Sequence, residues 1–198
     1  MNARRLKASL LLSGVVLAGL AFLSWTQPWF VIDLSDGRTL VVSGDLAAGA
    51  VSALALTCLV LNGALTIAGP VFRVVFGALE ALIGATLVVV SSLALGSPVT
   101  ASAAPLSDAT GVSGNDSLAA LVASVSVTAW PWVSVSAGVL LVALGVAVLA
   151  SAARWPGSGR KYGAVRMQTL DGVTVDGMSI DASNIDDWDA LTRGDDPT

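Results

Sequence analysis

Four long apolar runs, at about 6–25, 46–68, 71–95 and 130–153, dominate the chain. A hydrocarbon layer about 30 Å thick takes roughly 20 helical residues to cross, so each run predicts a transmembrane helix. Apart from Lys7 at one edge, the charges inside these limits are Arg73 and Glu80. Each run is apolar around its whole circumference. That predicts burial on every side, in lipid or protein, rather than an amphipathic surface helix. Only Gly69-Pro70 separates the second run from the third, and this breaker ends one helix and opens the next. A tight antiparallel helical hairpin is expected there. Small residues recur every four positions as Gly77, Ala81 and Ala85, and again as Ala143, Ala147 and Ser151. Such ridges let helices approach closely, within one bundle or equally across a homo-oligomer.

The polar connections carry different patterns. Val31-Ile32-Asp33-Leu34 and Thr39-Leu40-Val41-Val42 flank Asp36-Gly37, which predicts a small β-hairpin after the first span. Ser43 or Asp45 is placed to cap the second span. Residues 96–129 are rich in Ser, Ala, Thr and Gly with no Lys or Arg, and the first half of this loop reads as a mobile linker. Its second half, around Leu118 to Val122, reads as a short surface helix. Pro131 falls in the first turn of the fourth span, where its missing N–H costs least. Trp25, Trp29, Trp130 and Trp132 flank the span ends as an expected aromatic rim at one membrane interface.

Composition narrows the function. The chain has 198 residues, 55% hydrophobic and 12% charged, against roughly 25% charged in an ordinary soluble domain. Its mean hydropathy is +0.80, so a cytosolic globular enzyme is excluded as the default. There is no His, and Cys58 is the one Cys, which removes imidazole chemistry, an intrachain disulfide and a Cys cluster for metal. No nucleophile set, phosphate loop or nucleic-acid patch is present, so no catalytic residue, cofactor, metal or nucleic-acid partner is expected.

Lys and Arg set the expected sidedness. Arg4, Arg5 and Lys7 precede span one, Arg73 stands at the second turn, and Arg154, Arg160 and Lys161 follow span four, while only Arg38 lies in the two other loops. Both termini are therefore expected in the cytoplasm, with the hairpin and residues 96–129 outside. The N-terminal run also has the outline of a secretory signal, whose removal would leave three spans. It lacks a clean small-x-small cleavage site and is long for a signal core. The expected architecture is an all-α integral membrane protein of the plasma membrane. It has a four-span domain over 1–163 and an acidic, largely disordered cytoplasmic tail over 164–198. That tail holds eight Asp against Arg166 and Arg193. Trp188 and Leu191 near its end are the candidate contacts for a cytoplasmic protein partner.

Glu80 is the one carboxylate within a span, and ionisable groups at depth mark candidate functional sites. Arg73 stands two turns earlier on nearly the same face, about 10.5 Å away along the axis, so the two read as a candidate intramembrane polar pair. That pair is either structural, near the inner interface, or a protonatable coupling site, or a contact with another chain. Asn62 reads as an interhelical hydrogen-bonding residue, with Cys58 one turn away.

Several segments together carry a resemblance. They are the basic N-terminus, Ser24-Trp25-Thr26, Ser43-Gly44-Asp45-Leu46, Thr128-Ala129-Trp130-Pro131-Trp132, Arg154-Trp155-Pro156-Gly157 with Arg160-Lys161-Tyr162, and the tail from Asp187-Trp188-Asp189 to Pro197-Thr198. The chain resembles, nearly end to end, the actinobacterial tryptophan-biosynthesis-associated membrane proteins. The middle spans match only as generic apolar helices, so Glu80 inherits no role. The resemblance implies a multi-pass membrane protein encoded near enzymes of tryptophan synthesis and offers no catalytic residues. Three functions fit: a non-enzymatic accessory protein whose tail docks a partner, a small carrier or exporter of an aromatic amino acid working as an oligomer, and a purely structural membrane component.

Overall fold

The computed structural model describes residues 3–151, so the expected four-span boundary at 163 and the tail, including Trp188 and Leu191, lie outside the described residues. In chain order the elements are α1 (Ala3–Thr26), β1 (Pro28–Leu34), β2 (Thr39–Ser43), α2 (Gly44–Ala47), α3 (Ala50–Ile67), α4 (Pro70–Gly96), α5 (Pro98–Ala101), α6 (Ala103–Thr110), α7 (Asn115–Leu121), β3 (Val122–Val127) and α8 (Trp130–Ser151). Four of them, α1, α3, α4 and α8, are long and apolar enough to cross a membrane. Each packs on two neighbours, in the cyclic order α1, α3, α4, α8. Their outward faces carry large apolar side chains such as Leu12, Val60, Leu82 and Val139, all exposed, as a lipid solvent requires.

Pro70 stands at the first turn of α4, and the chain reverses across Ala68-Gly69. The expected helical hairpin is thus formed. The second span begins later than expected, at Ala50 rather than Leu46, because Gly44–Ala47 coils into the separate turn α2. Ser43 does not cap it. Its hydroxyl turns to the Asp45 carboxylate instead.

Where α1 and α4 end and α3 and α8 begin, the chain builds a small folded cap. The expected hairpin is present, with Gly37 supplying the left-handed conformation of the turn (φ 85°). It is also larger than expected. Strand β3 pairs antiparallel with β1, giving the sheet order β2-β1-β3. The reading of the first half of 96–129 as a mobile linker is overturned, because α5 and α6 occupy most of it, and α7 and β3 follow in the second half. Leu106 and Leu118 explain why so polar a segment stays folded: both are buried in the same core as Phe30, Ile32 and Leu34. The predicted surface helix at Leu118 to Val122 is the end of α7 running into β3.

A bulge between Pro28 and Phe30 breaks the in-out alternation of β1, so Trp29 and Phe30 are both buried. This corrects the aromatic rim. Trp29 is 0% exposed and belongs to the core, Trp25 and Trp130 are half-buried, and Trp132, 59% exposed, has the placement expected of an interfacial ring. The Trp29 indole N–H donates to the Ser24 carbonyl at 2.8 Å, and the Ser24 hydroxyl donates to the Trp130 carbonyl at 2.6 Å. One serine therefore joins the end of α1, the start of β1 and the start of α8.

On the far face of the sheet, Asp33 accepts from the hydroxyls of Thr39 and Ser124 at 2.8 and 2.9 Å, one from each flanking strand. These bonds hold its carboxyl below the ordinary value. Asp36 is held down likewise by the Arg38 backbone N–H and guanidinium in the turn. Arg38 also reaches the Ala109 carbonyl at 3.1 Å, tying the hairpin to α6.

Candidate functional site

The buried positions of α4 are Arg73, Gly77, Glu80, Gly84, Leu87, Ser91 and Ala94, spaced alternately by four and three residues. Positions Val51, Ala55, Cys58, Asn62 and Leu65 of α3 repeat that spacing, as do Ser134, Gly138, Leu141, Gly145 and Val148 of α8. This is the seam spacing of helices packed with their axes nearly aligned, and in it small and polar residues are interleaved with Leu and Val. Many other bulky side chains, such as Val60 and Leu82, face outward.

The closest seam is between α4 and α8. A Cβ added at Gly145 would lie 2.5 Å from the Ala81 backbone N, and one at Gly84 would lie 2.7 Å from the Gly138 carbonyl. Ser91 and Ser134 share a hydrogen bond of 2.8 Å further along the same seam. The small-residue ridge expected from the sequence is thus corrected in register. Gly77 and Gly84, seven apart, face α8, whereas Ala85 is exposed. Ala143 and Ala147 instead line an apolar groove of about 510 Å³ between α1 and α8.

Inside the bundle a polar node joins three helices. Asn62 on α3 donates its amide Nδ2 to Glu80 Oε1 on α4 at 3.0 Å and to the Cys58 carbonyl, also at 3.0 Å. Glu80 is 0% exposed, and its second oxygen, Oε2, has no hydrogen-bond partner among the described residues. From α1, Gly14 lies directly over the Asn62 amide, and a Cβ there would overlap it. The hydrogen-bond partner that the structure shows for Glu80 is thus Asn62. Arg73, also buried, points its Nε at the Ala68 carbonyl at 3.0 Å. Lys7 Nζ donates to the Thr66 carbonyl at 2.8 Å. Two cations therefore sit on the carbonyls at the C-terminal end of α3, where the helix dipole favours positive charge. Sequence reasoning missed Gly14, Ser24 and the Ser91 and Ser134 pair. For Gly14 and Ser91 the available signal was the same alternating spacing of small residues.

The family model for tryptophan-associated transmembrane proteins matches residues 10–198. The chain belongs to that family. Its four apolar helices and this membership together make it a membrane protein in a lipid bilayer. Comparison with curated proteins and with solved structures returns no match. All three residues of the node in this tryptophan-associated transmembrane protein, Gly14, Asn62 and Glu80, lie within the matched range.

Proposed function

We propose that the protein is a non-enzymatic accessory protein of tryptophan metabolism, held in the plasma membrane with both termini in the cytoplasm and the folded cap outside. The observation that carries this reading is the family match over nearly the whole chain. The Lys and Arg asymmetry supports the sidedness, since among the described residues Arg4, Arg5, Lys7 and Arg73 belong to the end opposite the cap and Arg38 alone belongs to the cap. Trp188 and Leu191 form the docking segment of the acidic tail, which recruits a cytoplasmic partner. The test compares the full chain with one ending at residue 163, in cells lacking the native copy. Co-purification of a defined cytoplasmic protein only with the full chain, together with altered intracellular tryptophan on truncation, is the expected result. Full function without the tail refutes it.

A second reading, a small carrier or exporter of an aromatic amino acid, is favoured by the buried carboxyl of Glu80 inside the spans. Labelled tryptophan moving across proteoliposomes that contain only this chain would decide for it.

A further inference from the structure

We propose that Glu80 is a proton-exchange site inside the membrane-spanning bundle, positioned by Asn62 and Gly14. The proposal needs the four-span embedding only, and neither of the two readings above. Glu80 lies about 15 Å along α4 from its first residue, and its partner Asn62 about 7.5 Å from the last residue of α3, so the node lies within the spans, toward the end opposite the cap. Its side chain is fully enclosed, and one amide meets one of its two oxygens. An ionised carboxylate has about four acceptor positions to satisfy, and at this depth each unmet one is costly. A carboxylic acid asks for less: Oε1 accepts from Asn62 while Oε2 carries the proton. The unpartnered Oε2 is thus the atom on which a proton arrives and from which it leaves.

The surroundings leave the proton to Glu80. Of the elements packed around it, α8 carries no titratable side chain, α3 carries Cys58, α4 itself carries Arg73, and the described part of α1 carries Lys7 with Arg4 and Arg5 at its start. Arg73 and Lys7 are engaged with carbonyls at the end of the bundle opposite the cap. Asn62 and Gly14 are positioning residues. Asn62 fixes the carboxyl through Oε1, and Gly14 leaves the space in which the amide can do so.

The test uses the full chain in proteoliposomes and dicyclohexylcarbodiimide, an apolar reagent that modifies a carboxylic acid but not a carboxylate. Adduct at Glu80 is read by mass spectrometry from about pH 5 to about pH 9, a range spanning the titrations documented for buried carboxyls. The expected result is a sigmoidal pH profile at Glu80 and complete loss of that adduct in Glu80→Gln. Asn62→Leu and Gly14→Ala should both move the midpoint, in the same direction and by about one pH unit, with the acid-limit yield retained. The profile of the unaltered chain requires no variant to fold, so it stands alone. No adduct at any pH, or a yield independent of pH, overturns the proposal. A profile that neither positioning variant moves overturns the roles given to Asn62 and Gly14.

Discussion

Replacing Gly145 by Ala adds one methyl group to the α4–α8 seam, where the Cβ would stand 2.5 Å from the Ala81 backbone N and 2.6 Å from the Gly77 carbonyl oxygen. Ordinary contact for a carbon is about 3.5–4.0 Å, so the two helices must part by about 1 Å. Both obstructing atoms are backbone and have no rotamer to escape into. A gap of that size forfeits a quarter to a half of each facing dispersion contact, and overpacking of this kind costs about 1–3 kcal/mol. Alanine returns about 1 kcal/mol of helix propensity, leaving a net loss of about 0–2 kcal/mol. Gly63 on α3 is the control, because a Cβ there meets nothing within 4 Å. Gly63→Ala should be neutral or stabilising by up to about 1 kcal/mol. The propensity gain is common to both, so the two variants should differ by about 1–3 kcal/mol, roughly 5- to 150-fold in the unfolding equilibrium. Unfolding by sodium dodecyl sulfate in mixed micelles, followed by circular dichroism, measures the difference. Gly145→Ala matching or exceeding Gly63→Ala in stability would refute the seam. Gly84→Ala should act in the same direction, and the double variant should lose less than the sum, since one parting of the helices relieves both.

Three further outcomes follow from the cap. Trp29→Phe removes the indole donor to the Ser24 carbonyl and should cost about 1 kcal/mol, while Trp29→Ala should cost about 3–5 kcal/mol, both read as thermal unfolding in detergent. Asp33 has its carboxyl held down by Thr39 and Ser124, so its contribution to the sheet is complete at neutral pH and lost as acid drops the pH through the folded value. In an NMR titration, Thr39→Ala and Ser124→Ala should each move the Asp33 midpoint up toward the ordinary carboxylate range. For sidedness, Ser35→Cys in a Cys58→Ser background should react with a membrane-impermeant maleimide from outside intact cells, and reaction only after lysis would reverse the proposed orientation.

The four spans were legible because length and hydropathy alone decide whether a helix crosses lipid. The hairpin was legible because Asp36-Gly37 is a local turn signal. Strand β3 was not. Val122–Val127 alternates Val with Ala and Ser in a segment dominated by small polar residues, and the strand it joins lies far back in the chain. Trp29 was misplaced because a Trp near a span end fits an interface on sequence grounds, and only the bulge after Pro28 turns it inward. Within the bundle, Glu80 stood out as a charge at depth. Its partnership with Asn62 depends on how α3 and α4 are rotated about their axes. That rotation is written in the alternating spacing of Gly, Ser, Asn and Glu, a signal that hydropathy averages away.

The order β2-β1-β3 also sets a timetable for synthesis. Asp33 and Ser124, which meet across β1 and β3, are 91 residues apart. At 5–20 residues per second the ribosome needs roughly 5–20 seconds to supply the second after the first. Throughout that interval β1 has one neighbour and one bare edge, a ready template for any extended chain nearby. The third strand reaches it only after α4 has been made and just before α8, so docking of the final span and sealing of the sheet belong to one late event.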